Sequence, residues 1–131
     1  MNMKQIFTSF LLSAVLLLSS FKAQQGIDEV VAALRSGNAT ELAKHLDDNV
    51  ELTLPEKSDS YSKAQAQVII KDFFSNNGVK GFELKHKGSS PSGNFAIGTL
   101  QTSSGNFRTN IFMRSNKGKD VVKEIRFQSI D

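Results

Sequence analysis

Ile27, Val30, Val31 and Leu34 recur at the i, i+3, i+4 and i+7 spacing of one helix face. Ser36-Gly37 closes this helix, because glycine readily takes the left-handed conformation that a helix C-terminus favours. Asn38 is then placed to cap a second helix, with Glu41 at the third position after the cap. Leu42, Ala43 and Leu46 continue that shorter helix until Asp47-Asp48-Asn49 breaks it. Val50, Leu52 and Leu54 alternate with Glu51 and Thr53, the period-two pattern of a half-buried strand, which Pro55 stops. Residues 55–61 read as a polar loop ending in Tyr61, the single tyrosine. Ser62 and Gln65 form a capping box for a third helix, in which Ala66, Ile69, Ile70, Phe73 and Phe74 recur at helical spacing; Asn76-Asn77-Gly78 marks its stop.

Beyond Gly78 the period changes from 3.6 to 2. Turn-rich clusters at residues 88–94, 103–106 and 115–119 separate four strands, which the pattern predicts as an antiparallel meander. Alternation assigns a core face to Phe82, Leu84 and His86; to Phe95, Ile97, Thr99 and Gln101; to Phe107, Thr109, Ile111 and Met113; and to Val121, Lys123, Ile125 and Phe127. The opposite face gathers Glu83, Lys85, Lys87, Ala96, Gly98, Leu100, Arg108, Asn110, Phe112, Arg114, Val122, Glu124, Arg126 and Gln128. The helices must cover the first face. The second is exposed or used for association.

The stretch before the first helix changes where this domain is expected to work. Lys4 precedes an apolar run from Ile6 to Leu18, followed by Ser19-Ser20-Phe21-Lys22-Ala23, the order of an export signal cut after Ala23. The run is shorter than the roughly 20 residues a spanning helix needs. Residues 1–23 are thus expected to be a signal peptide, and residues 24–131 one periplasmic or secreted domain with no membrane insertion after cleavage. The 131 residues include no Cys, which excludes a lipidated Cys after the signal and means that packing, not disulfides, holds the fold. Part of the formal charge of +3 leaves with Lys4 and Lys22. In the remainder, acidic side chains predominate over residues 24–76 and basic ones over residues 77–131. Lys85, Lys87, Arg108, Arg114 and Arg126 therefore form a candidate anion-binding surface, although Glu83 and Glu124 interrupt it and an exported protein seldom meets nucleic acid.

The order helix, helix, strand, helix and then antiparallel strands is similar to the nuclear transport factor 2-like superfamily. The segment from Gly37 to Leu52 resembles that superfamily's second helix and first strand, and Ile125-Arg126-Phe127-Gln128 its closing strand. With its export signal, the chain resembles small uncharacterised exported bacterial domains in that group. The resemblance implies an α+β, cystatin-like cone in which three helices pack on a curved antiparallel sheet. It also implies homodimers formed through the sheets, with Ala96, Gly98, Leu100, Arg108, Phe112 and Arg114 as expected interface residues. Superfamily enzymes such as steroid isomerases, polyketide cyclases and small dehydratases place an Asp, His or Tyr in an apolar pocket, where burial tunes its pKa for proton transfer.

The predicted core face holds no carboxylate, so no acid of that kind carries over to this chain. His86 is the one candidate acid or base, with Tyr61 as helper. Two His and no Cys exclude the usual zinc clusters, and Asp47-Asp48-Asn49 lacks the loop spacing of a calcium site, so neither metal nor cofactor is expected. His86, Thr99, Gln101, Thr109 and Tyr61 are the candidate ligand-binding residues, polar groups to orient a small molecule in a cavity lined mainly by Phe. The expected function is binding, without catalysis, of a small apolar molecule or a protein partner. The alternatives are an enzyme using His86 on a small hydrophobic substrate and an anion-binding surface module.

Overall fold

Leu34 lies against the core at the end of the first helix, and the turn that follows it sets the approach of everything downstream. The structure, a computed structural model, describes residues 26–130, so the expected signal over residues 1–23 lies outside the described residues. Helix α1 runs over residues 26–36 and buries Ile27, Val30, Val31 and Leu34, the predicted stripe. Gly37 ends it at φ +62°, and a Cβ there would stand 2.8 Å from the Val79 side chain. Only glycine fits that close approach and that conformation. The Asn38 side chain accepts a hydrogen bond from the Glu41 amide at 3.0 Å and so caps α2, Ala39–Ala43.

Two expectations for the next segment give way. Leu46 and Asp47-Asp48-Asn49 belong to strand β1, Leu46–Leu54, not to a helix and its break. The cause is tertiary: the Val122 amide donates to the His45 carbonyl at 2.7 Å, and Leu46 pairs with Val122, so a distant strand extends β1 backwards. The polar segment expected as a loop contains β2, Lys57–Ser62, which pairs antiparallel with β1 through Val50 opposite Tyr61 and Leu54 opposite Lys57. Lys-Ser-Asp-Ser-Tyr-Ser shows no apolar alternation because an edge strand joins a sheet by backbone pairing alone. Helix α3, Lys63–Asn77, starts at the predicted capping box of Ser62 and Gln65 and ends at Gly78, φ +70°.

The meander follows as β3 Val79–Ser90, β4 Gly93–Thr102, β5 Gly105–Asn116 and β6 Lys119–Ser129. The six strands form one sheet in the order β2-β1-β6-β5-β4-β3. Every neighbouring pair is antiparallel except β1 and β6, which run parallel. Register shifts between β1 and β6, between β3 and β4 and between β5 and β6 mark the bulges that bend such a sheet around its helices. Ala66, Ile70, Phe73 and Phe74 of α3, with the α1 stripe and Leu42 of α2, fill the concave side against Val50, Leu52, Phe107, Ile111, Ile125 and Phe127.

On β4 the predicted faces are reversed. Ala96, Gly98 and Leu100 face the helices, while Phe95, Ile97, Thr99 and Gln101 turn outward. Small residues occupy the core face here because Phe82 needs their space: a Cβ on Gly98 would lie 2.4 Å from the Phe82 ring. The bulge between Leu84 and His86 then sets Lys87 opposite Ala96 and His86 opposite Ile97. His86 leaves the core face as a result.

Candidate functional site

The inside of the cone is filled by aromatic rings. Phe73 of α3 lies 4.9 Å from Phe127 and 5.1 Å, edge-on, from Phe107, and Phe74 meets Phe127 edge-on at 6.0 Å, centroid to centroid. Phe82 is buried as well, so five of the rings that alternation and helical spacing assign to the interior are packed there. Phe95 is not among them. Its ring covers Gly88 on the outer face and lies 5.4 Å from His86.

Open space remains at one end of this core. A groove of about 490 Å³ lies between α3 and the turn from β1 to β2, reaching the start of β5 and the end of β6. Leu54, Ile69, Phe73 and Phe107 supply its apolar surface. Glu56 and Lys57 from the hairpin, Asp72, Asn76 and Asn77 from α3, and Ser129 supply polar groups. The rim at Asn77 is held in place: its Nδ2 donates to the Phe73 carbonyl at 2.8 Å, and its side-chain oxygen accepts from Ser104. The amide of Ser103 donates to the Gly78 carbonyl at 2.9 Å, which ties the β4–β5 turn to the same helix end. A volume of this size admits a small organic molecule, and its apolar wall faced by a polar rim suits binding of a molecule with both kinds of surface.

None of the five candidate ligand-binding residues lines this groove. Thr109 is buried inside the sheet, and its hydroxyl donates to the Phe107 carbonyl at 3.3 Å. His86, Thr99 and Gln101 stand on the outer face, and Tyr61 packs against the core from β2. The groove's polar residues escape a sequence reading because residues 55–61 read as a polar loop and Asn76-Asn77 as the stop of a helix. Ile69 and Phe73 were legible, as part of the apolar α3 stripe.

One buried acid was also missed. Asp47 is 7% exposed, accepts hydrogen bonds from Lys123 and from Asn116 Nδ2, and has its carboxyl held below the usual carboxylate range. The hydrogen bond from Lys123 is the largest cause, opposed by burial and helped by Asn116 and the Asp48 backbone. This carboxylate is satisfied by its neighbours and does not line the groove. Among the described residues no three His, Cys, Asp or Glu side chains group closely enough to hold a metal ion. No helix among them is long and apolar enough to cross a membrane.

The outer face of the sheet carries a second feature. Phe95, Ile97 and Phe112 surround a hollow of about 290 Å³ with Asn110 and Glu124. Of the expected interface residues, Arg108, Phe112 and Arg114 alternate onto this face, whereas Ala96, Gly98 and Leu100 are buried beneath the helices. The expected basic surface is largely paired within the chain: Lys85 with Glu83 at 2.9 Å, Lys87 with Asp28 at 2.8 Å and Arg126 with Glu124 at 3.8 Å.

A family model described as "Domain of unknown function (DUF4783)" matches residues 27–128. The crystal structure of a DUF4783 family protein from Bacteroides uniformis is 38% identical, with 79% of this chain and 96% of that chain covered and a TM-score of 0.77. That of a DUF4783 family protein from Bacteroides ovatus is 34% identical over 79% of this chain and 94% of that one, TM-score 0.76. An NTF2-like protein of unknown function from Cytophaga hutchinsonii shares 11% identity over 82% of this chain and 89% of that one, TM-score 0.60, a likeness of fold alone. No curated protein matches this chain. The fold is nuclear transport factor 2-like.

Proposed function

The chain belongs to the DUF4783 family, and from that premise we propose that it is an exported, non-catalytic domain that binds a small, largely apolar ligand in the groove between α3 and the β1–β2 turn. The observation that carries the reading is the groove itself, about 490 Å³ walled by Leu54, Ile69, Phe73 and Phe107 at the end of an otherwise filled cone. Export rests on the sequence of residues 1–23. Catalysis by His86 draws no support from its position, because the ring rests against Phe95 on the outer face rather than in an apolar pocket. An anion-binding surface is likewise weakened by the pairing of Lys85, Lys87 and Arg126 with acids of the same chain.

The neutral fluorophore N-phenyl-1-naphthylamine tests the groove. It is expected to bind saturably, to shift the NMR signals of Leu54, Ile69 and Phe107, and to lose affinity at least tenfold in Ile69→Lys with the fold intact. Saturable binding that ignores Ile69→Lys, or shifts confined to the outer face, would remove the reading.

The outer face supports a second reading, a homodimer formed through the sheets. Its motivation is the half-buried trio Phe95, Ile97 and Phe112, a larger apolar surface than a solvated sheet face needs. Sedimentation of a monomer at millimolar concentration overturns it.

A further inference from the structure

Ile69, Asp72, Phe73 and Asn76 fall at the i, i+3, i+4 and i+7 spacing of one face of α3, and all four line the groove. Phe73 is buried and Ile69 half-buried, whereas Asp72 and Asn76 are exposed. One helix face thus supplies both an apolar wall and a polar rim. Glu56, exposed on the turn from β1 to β2, lines the groove from its other side.

The two acids are left without cations. Among the described residues neither Glu56 nor Asp72 takes part in an ion pair, although Asp28, Glu41, Glu83 and Glu124 each have a Lys or Arg partner at the surface. Lys71, beside Asp72 in sequence, lines a different hollow at the turn from α1 to α2. Lys57 is the cation on the groove wall, and it forms no ion pair with either acid. Its four-carbon stem can lie along apolar surface with the ammonium in water. Two carboxylates against one ammonium leave the groove negative.

We propose that the ligand of this groove is an apolar primary amine, its hydrocarbon body against Leu54, Ile69, Phe73 and Phe107 and its ammonium between Glu56 and Asp72. The inference rests on the groove reading proposed above and adds the charge of the ligand.

An alkylammonium brings three N–H donors and no acceptor. The rim answers with acceptors on Glu56, Asp72 and Asn76, while Asn77 is already committed to the Phe73 carbonyl and to Ser104. A carboxylic acid of the same shape would bring a further negative charge between two carboxylates. An alcohol would displace water from them and return no opposite charge. Because both carboxylates are exposed, each attracts modestly and salt screens the effect, so the preference is expected to be about tenfold.

Phenylbutylamine, phenylbutanol and phenylbutanoate share one apolar body and differ in head group, so displacement of N-phenyl-1-naphthylamine by each tests the proposal. Near neutral pH the amine is charged, since an alkylammonium loses its proton only at about 10.4. The amine is expected to displace the fluorophore at about one tenth the concentration the alcohol needs, with the carboxylate weakest. In the double variant Glu56→Gln, Asp72→Asn, the advantage of amine over alcohol, read within that protein, is expected to fall to about twofold or less. A fluorophore that does not bind wild type overturns the groove reading and this inference together. Bound fluorophore displaced equally well by amine and alcohol overturns the inference and leaves the groove standing. An amine preference that survives in the double variant overturns the assignment to Glu56 and Asp72. Circular dichroism verifies the fold of the variant. Should it fail to fold, wild type at about 500 mM salt decides: the preference is expected to shrink there, and one that persists unchanged overturns the inference.

Discussion

Lys123 of β6 donates a hydrogen bond to the buried carboxylate of Asp47 on β1, across the one parallel pairing in the sheet. Asp47 sits in the interval where the β1–β6 register shifts, between the Leu46 and Glu51 pairings. The contact joins the start of the first strand to the last strand of the chain. It also lets β1 begin at Leu46, where local sequence favours helix.

Acid should therefore loosen this junction. The folded-state pKa of Asp47 lies below its ordinary 3.8, so the carboxylate adds stability above the unfolded value. That stability is lost as pH falls through the lower folded value. Asp47→Asn is expected to lower stability near neutral pH by about 2 kcal/mol, the scale of a hydrogen bond to a charged group. Its Lys123 partner is 37% exposed, which argues against a larger loss. Urea midpoints measured from pH 7 to pH 2 should fall less steeply in the variant below pH 4; equal slopes would contradict the linkage.

Gly98 should tolerate no side chain. A Cβ there meets the Phe82 ring and the Glu83 carbonyl, each at 2.4 Å. Gly98→Ala is expected to cost about 1–3 kcal/mol through overpacking. A thermal melt within a degree of wild type would show that β4 can shift to make room.

Phe127 and Phe95 should behave oppositely despite identical chemistry. Phe127 is fully buried at the meeting point of Phe73 and Phe74, so Phe127→Ala is expected to cost about 3–5 kcal/mol. Phe95→Ser, on the outer face, is expected to cost about 1 kcal/mol or less in the monomer and to weaken association instead. Denaturant curves and sedimentation on the same two variants separate the effects. Comparable losses of monomer stability would mean that Phe95 belongs to the core after all.

Several elements were legible because a single local rule governs them. The α1 stripe, the Asn38 cap, the Ser62–Gln65 box and the stop at Gly78 each depend on residues within one or two turns of each other. The faces of β5 were legible for a related reason: Phe107, Thr109 and Ile111 alternate with polar Arg108 and Asn110, so the contrast points one way. β4 offers no such contrast. Phe95 and Ile97 compete with Ala96, Gly98 and Leu100 for the core, and hydrophobicity alone favoured the larger side chains.

The candidate site was less legible than the fold. Its apolar wall follows from the α3 stripe and from β5, but its polar rim draws on Glu56, Asp72, Asn76 and Ser129, residues that ordinary surface positions also use. His86 shows the same limit in reverse. Alternation put it inside, and the bulge between Leu84 and His86 turned it out.

The amino-acid sequence by itself determined which segments become helices, where most of them are capped, and that an antiparallel meander follows them. Those outcomes depend on backbone preferences and on periodicities that act over a few neighbouring residues. Tertiary structure alone decided that β1 starts at Leu46, that β2 exists, that β4 turns its small residues inward, and that Asp47 finds Lys123. Each of these depends on volume, backbone pairing or charge supplied by a strand distant in sequence, and a local pattern carries no record of its partner.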